Sequence, residues 1–135
     1  MARILIAEDE EPLRGLVTRA LKEDGHEVVA TADGAEALDA LQREAGRFDL
    51  LLADIKMPVM DGLALALATA RDFPRLPILL MTGYAEQKEA AESLTRIVFG
   101  VVEKPFTLTQ IRRAMDDLFA AHPPRTRAEP IRRAG

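Results

Sequence analysis

Glu8, Asp9, Asp54, Thr82 and Lys104 are the residues of this sequence best placed to do chemistry together. Each stands at the end of a short apolar run: Glu8 and Asp9 after RILIA (3–7), Asp54 after DLLLA (49–53), Thr82 after PILLM (77–81) and Lys104 after FGVVE (99–103). Singly, each has an ordinary explanation. Glu8 to Glu11 make a solvated acidic turn, Asp54 a turn former ahead of Pro58 and Asp61-Gly62, Thr82 a helix cap and Lys104 a surface charge. As a set they mean more. Three carboxylates held within several ångströms repel one another, so their pKa values rise or a cation joins them. Oxygen ligands without His or Cys select a hard divalent ion, and Mg2+, with Mn2+ as a substitute, suits a site that must also accept phosphate oxygens.

The elements that would position these residues are legible. The four apolar runs and a fifth, EVVAT (27–31), are β-like and are separated by segments with helical spacing. Leu13, Leu16, Val17, Ala20 and Leu21 fall on one face of the first such segment, and Leu108, Ile111, Met115 and Leu118 on one face of the last. Gly25 follows the first helix, Asp33-Gly34 and Asp61-Gly62 open the second and third, and Thr107 is an N-cap for the fifth. The fourth helix, within GYAEQKEAAESLTR (83–96), has a thin apolar stripe and is expected to be short or mobile. Pro123-Pro124 stops the last helix after Ala121. Strands alternating with helices in this way predict an α/β fold: one doubly wound, five-stranded parallel sheet with five helices covering both faces. Ligands of such sheets bind outside the carboxyl ends of the strands, which is where the polar residues stand. If the first and third strands are neighbours, the three carboxylates share one rim.

Composition bounds the function. A chain of 135 residues, 48% apolar and 30% charged, suits one globular domain. It has no cysteine, and its two histidines, His26 and His122, are far apart, which excludes disulfide scaffolds and disfavours thiolate or imidazole metal sites. No apolar segment is long enough to span a bilayer and the N-terminus turns acidic after four apolar residues, so the expected location is cytoplasmic, without membrane contact. Residues 122–135 contribute four arginines and one glutamate, or +3, to a net charge of −4, leaving −7 on residues 1–121. The expected organisation is a domain over 1–121 and a flexible Pro/Arg-rich tail over 122–135. An acidic globule with one tyrosine and no tryptophan argues against direct DNA binding. No Gly-rich phosphate or dinucleotide loop follows the first strand.

AEDE (7–10), LLLADIKMPVMDG (50–62), LLMTG (79–83) and VVEKPF (101–106) together resemble the receiver domain of two-component response regulators, over residues 3 to about 121. The resemblance implies a flavodoxin-like sheet of strand order 2-1-3-4-5. It further implies that Asp54 accepts a phosphoryl group from a phosphohistidine on a sensor histidine kinase or phosphotransfer protein. Glu8, Asp9, Asp54 and the backbone carbonyl of Lys56 would hold Mg2+, while Thr82 and Lys104 would contact phosphoryl oxygens and the Lys104-Pro105 bond would be cis. Output would pass through the fourth helix, fifth strand and fifth helix to an unidentified downstream protein.

The chain departs from that pattern in places. Glu8 replaces the commoner aspartate, and Val101 stands where many relatives carry an aromatic residue that moves with the threonine. Tyr84 and Lys56 are candidates to tune the lifetime of the phosphorylated state. The short remainder after residue 121 suggests a stand-alone regulator, similar to chemotaxis regulators, acting by protein contact as a monomer or a phosphorylation-dependent dimer. It would be a phosphoacceptor with self-catalysed transfer and loss of phosphate rather than an enzyme. Two alternatives stand beside it: an Mg2+-dependent phosphatase with an aspartate nucleophile, which would need an acid/base where Lys56 stands, and a receiver-like interaction module that is never phosphorylated.

Overall fold

A computed structural model describes residues 1–124, except for the side chains of residues 85 and 86. The expected tail therefore lies, from residue 125 onward, outside the described residues. In chain order the elements are β1 (Arg3–Ala7), α1 (Glu11–Glu23), β2 (Glu27–Thr31), α2 (Gly34–Arg43), β3 (Leu50–Asp54), α3 (Gly62–Asp72), β4 (Ile78–Thr82), α4 (Ala85–Glu92), β5 (Gly100–Glu103) and α5 (Leu108–Ala121). The strands form one sheet of order β2-β1-β3-β4-β5 with every pairing parallel. This is the fold that the alternating pattern predicts and the strand order that the resemblance implies.

Alternation along the strands divides the core in two. Leu5, Leu51, Ala53 and Leu80 point to the face covered by α2, α3 and α4, where they meet Ala37, Leu41, Leu65 and Ala91. Ile4, Ile6, Leu50, Leu52, Leu79 and Met81 point to the other face and meet Val17 and Leu21 of α1 and Ile111, Met115 and Leu118 of α5. A strand with helices on both sides has no wet face, which is why β3 and β4 read as unbroken apolar runs. Leu16 is an exception to the expected stripe. It is exposed, because it lies roughly 60° to one side of Leu13 on the helical wheel, beyond the edge that Val17 and Ala20 bury.

Two strands end one residue later than their apolar runs. The Ile55 N–H donates to the Met81 carbonyl at 3.0 Å, so the ladder carries on past Asp54. Asp54 and Thr82 are consequently the last residues of β3 and β4 rather than the first of loops, and their backbones are as fixed as the sheet. Ala7 pairs with Ala53, so the next residues, Glu8 and Asp54, leave the sheet side by side. The predicted caps are present: Asp33 accepts from Glu36 N–H, Asp61 from Ala64 N–H at 2.8 Å, and Thr107 forms a capping box with Gln110.

Gly62 locks the start of α3 to the end of β3. A Cβ at this position would lie 2.2 Å from the Asp54 carbonyl oxygen, and the Gly62 N–H donates to the Ile55 carbonyl at 2.8 Å. Only a residue without a side chain allows this approach.

Candidate functional site

The site is built where β1, β3 and β5 end. Glu8 follows β1 and is only 1% exposed. Its backbone is held twice: its N–H donates to the Thr31 carbonyl at 3.1 Å, and Arg14 Nη1 of α1 donates to its carbonyl at 2.9 Å. Its Oε2 accepts the Glu10 N–H at 3.0 Å. Asp54 closes β3 and is 4% exposed. Lys104 follows β5; its N–H donates to the Thr82 carbonyl at 2.7 Å, and its peptide bond to Pro105 is cis.

The Lys104 ammonium gathers three carboxylates. Nζ lies 2.9 Å from Asp54 Oδ2, 3.0 Å from Glu8 Oε1 and 3.3 Å from Glu10 Oε1. The contacts to Asp54 and Glu10 are directed hydrogen bonds, whereas that to Glu8 is an ion pair without hydrogen-bond alignment, so buried Glu8 Oε1 has no aligned donor. Burial pushes the Glu8 carboxyl up to about 7, and the Asp54 charge adds to the rise; the Glu10 N–H and Lys104 act against it. Burial pulls the Lys104 ammonium down, but the hydrogen bond to Asp54 and the close carboxylates of Asp54 and Glu8 outweigh it and hold the group above its ordinary value.

These residues fit a hard divalent cation. Glu8, Glu10 and Asp54 each offer an oxygen, and the three oxygens lie within 4.8 Å of one another. One positive charge does not balance three carboxylates, and Glu8 Oε1 is buried and open to a further partner. Asp9, expected from the resemblance, is exposed and stands outside this trio, while Glu10, read from the sequence only as part of an acidic turn, stands inside it. The chain bends at Asp9, the Glu10 N–H donates to Glu8 Oε2, and the Lys104 ammonium contacts both the Glu8 and Glu10 carboxylates, a meeting that no local pattern signals.

The other expected residues form two groups. Lys56, two residues past Asp54, is exposed between buried Ile55 and Met57, and its Nζ lies 5.1 Å from the centroid of the Tyr84 ring. Tyr84 itself is 55% exposed. Thr82 is 2% exposed, and its hydroxyl lies 3.1 Å from the Tyr84 carbonyl and 3.0 Å from Gln87 Oε1 of α4. Val101 pairs with Leu80 and is half-buried against the α4-side core. The structure thus brings Glu8, Asp54 and Lys104 together, sets Lys56 against Tyr84, and ties Thr82 to α4.

Comparison with known proteins shows the family. A family model described as the response regulator receiver domain matches residues 4–116. The response regulator protein FleR of Pseudomonas aeruginosa is 38% identical over 121 residues, which are 90% of this chain and 24% of FleR. The response regulator receiver protein CpdR of Brucella abortus is 36% identical over 121 residues, 90% of this chain and 99% of CpdR. Among solved structures, the response regulator protein TrrA from Thermotoga maritima, in complex with Mg2+-BeF, superposes with a TM-score of 0.77 at 30% identity, covering 87% of this chain and 99% of TrrA. The chain therefore spans about a quarter of FleR and almost all of CpdR.

Proposed function

The chain belongs to the response regulator receiver family, and on that premise we propose that Asp54 takes a phosphoryl group from a phosphohistidine on a sensor histidine kinase or phosphotransfer protein. The observation that carries the proposal is the contact between the Lys104 ammonium and Asp54 Oδ2, 2.9 Å apart, at the carboxyl rim of a parallel sheet. Asp54 is a buried nucleophile on a rigid strand end, and the cation beside it is already in place.

In the transfer an Asp54 oxygen attacks phosphorus while the P–N bond to the donor imidazole breaks and the nitrogen leaves with the electron pair. Lys104 follows the phosphoryl oxygens and offsets their charge, and Thr82 donates its hydroxyl proton to another of them. Positioning and charge neutralisation of this kind are most of what phosphoryl transfer requires. Glu8, Asp9, Asp54 and the Lys56 carbonyl are the proposed Mg2+ ligands, and the geometry adds Glu10 to them. When bound, Mg2+, or Mn2+ in its place, supplies positive charge against both the carboxylates and the phosphoryl oxygens. The relative solved with Mg2+-BeF supports that choice of ion.

Residues 1–121 act as the receiver, with 122–135 as an appendage. The chain is a phosphoacceptor that catalyses its own transfer and phosphate loss, and it signals by protein contact. The signalling face is α4, β5 and α5, where Lys88 of α4 is 3.2 Å from Glu103 of β5. Among the described residues no helix is long and apolar enough to cross a membrane. The proposed location, that of the proposed phosphohistidine donor, is the cytoplasm. A phosphatase of the aspartate-nucleophile type is disfavoured because position 56 carries an exposed lysine against Tyr84 rather than an acid/base.

Incubation with acetyl phosphate and Mg2+, followed by intact mass measurement, tests the proposal. The wild type gains one phosphoryl group, and neither Asp54→Asn nor chelator-treated wild type does. Equal gain by Asp54→Asn, or sustained hydrolysis of a generic aryl phosphate, overturns it.

A further inference from the structure

Thr82 has a single hydroxyl proton and several claims upon it. Its Oγ1 lies 3.0 Å from Gln87 Oε1 and 3.1 Å from the Tyr84 carbonyl, and the Tyr84 N–H reaches it at 3.4 Å. The Tyr84 carbonyl also accepts the Lys88 N–H at 3.1 Å, the first hydrogen bond of α4. Thr82 is therefore fastened to the opening turn of α4 by both a side chain and the backbone. With the Gln87 amide turned over, Nε2 donates to Oγ1 and the hydroxyl proton goes to Tyr84, and the tie remains.

That tie matters because α4 has few others. Its N-cap residue, Tyr84, makes no side-chain cap hydrogen bond. Among its described side chains only Ala91 is buried. Among the described residues a further polar anchor is the exposed Lys88–Glu103 pair, of a kind that contributes little. Val101 supplies no aromatic ring that would move with Thr82 and report on it.

We propose that Gln87 is a positioning residue for Thr82: it holds the hydroxyl on the α4 side, so that a phosphoryl group on Asp54 gains the Thr82 hydrogen bond only as α4 loses it. The inference rests on the phosphoacceptor reading of Asp54 and names the link from that site to the signalling face. It makes α4, through an amide rather than an aromatic ring, the element that phosphorylation loosens.

The test compares wild type, Gln87→Leu and Gln87→Glu, each also in a Thr82→Ala background. The readouts are the rate of phosphorylation by acetyl phosphate with Mg2+ and the hydrogen exchange of the α4 amides. Gln87→Leu removes the partner at similar volume and phosphorylates about three- to tenfold faster, the equivalent of one modest hydrogen bond. Its α4 amides exchange, without phosphate, at the rate of phosphorylated wild type. Gln87→Glu, a stronger acceptor, phosphorylates more slowly than wild type. With Thr82→Ala both effects on the rate vanish, which a purely structural role of Gln87 would not produce. Wild-type rates in both Gln87 variants, or rate effects that persist with Thr82→Ala, overturn the inference while wild type still phosphorylates on Asp54. Failure of wild type to phosphorylate on Asp54 overturns the reading beneath it as well.

Discussion

At the scale of residues, protonation and stacking give two measurable consequences. The folded Glu8 carboxyl, raised by burial from 4.5 to about 7, holds its proton more tightly than the unfolded chain does. The stability this confers is complete below the unfolded value and is lost as pH rises through the folded one. In chelator-treated protein the thermal midpoint of wild type should therefore fall, relative to Glu8→Gln, between about pH 5 and about pH 7.5. Parallel pH profiles for the two would contradict the assignment. The second consequence concerns Lys56 and Tyr84, 5.1 Å apart beside the site, which we expect to shield the acyl phosphate from water. Replacing both with alanine should shorten the half-life of the phosphorylated form by about two- to fivefold, the worth of one exposed cation–π contact. An unchanged half-life would refute the shielding.

At the scale of elements, what could be read from the sequence was what local physics controls. Asp33, Asp61 and Thr107 cap helices because each offers an oxygen to an N–H three residues on, and β3 and β4 are apolar because they are covered on both sides. What escaped depends on neighbours distant in the chain. Leu16 is exposed because what packs on α1 covers only the face of Val17, Ala20 and Leu21, Glu10 joins the site because Lys104 reaches it, and Gln87 matters because Thr82 is beside it. Val59, exposed at 83% with φ of 69°, also escaped, since nothing local favours a β-branched residue in that conformation. Asp61 and Gly62 open α3 as the sequence signals, yet Gly62 has a second task, the close approach to the Asp54 carbonyl. Gly62→Ala should cost about 1–3 kcal/mol in denaturant unfolding, as overpacking does, and should slow phosphorylation by moving Asp54. Wild-type stability in this variant would show that β3 and α3 are not locked there.

At the scale of the whole molecule, the parallel sheet does one thing that no single residue does. It delivers Glu8, Asp54 and Lys104 from sequence positions far apart to one rim, with backbones fixed by the ladder and the Lys104 ammonium in contact with both carboxylates. The same sheet leaves α4 lightly held on the flank next to that rim, so a charge change on Asp54 can be felt at the surface. The central claim is that this rim is the place of phosphorylation. Its most direct test is to phosphorylate the chain with a small phosphodonor and Mg2+, reduce the acyl phosphate with borohydride, and map the resulting change by peptide mass. The account predicts reduction to homoserine at residue 54 and at no other carboxylate. Reduction at Glu8, Glu10 or any other acidic residue, with Asp54 unmodified, would contradict it.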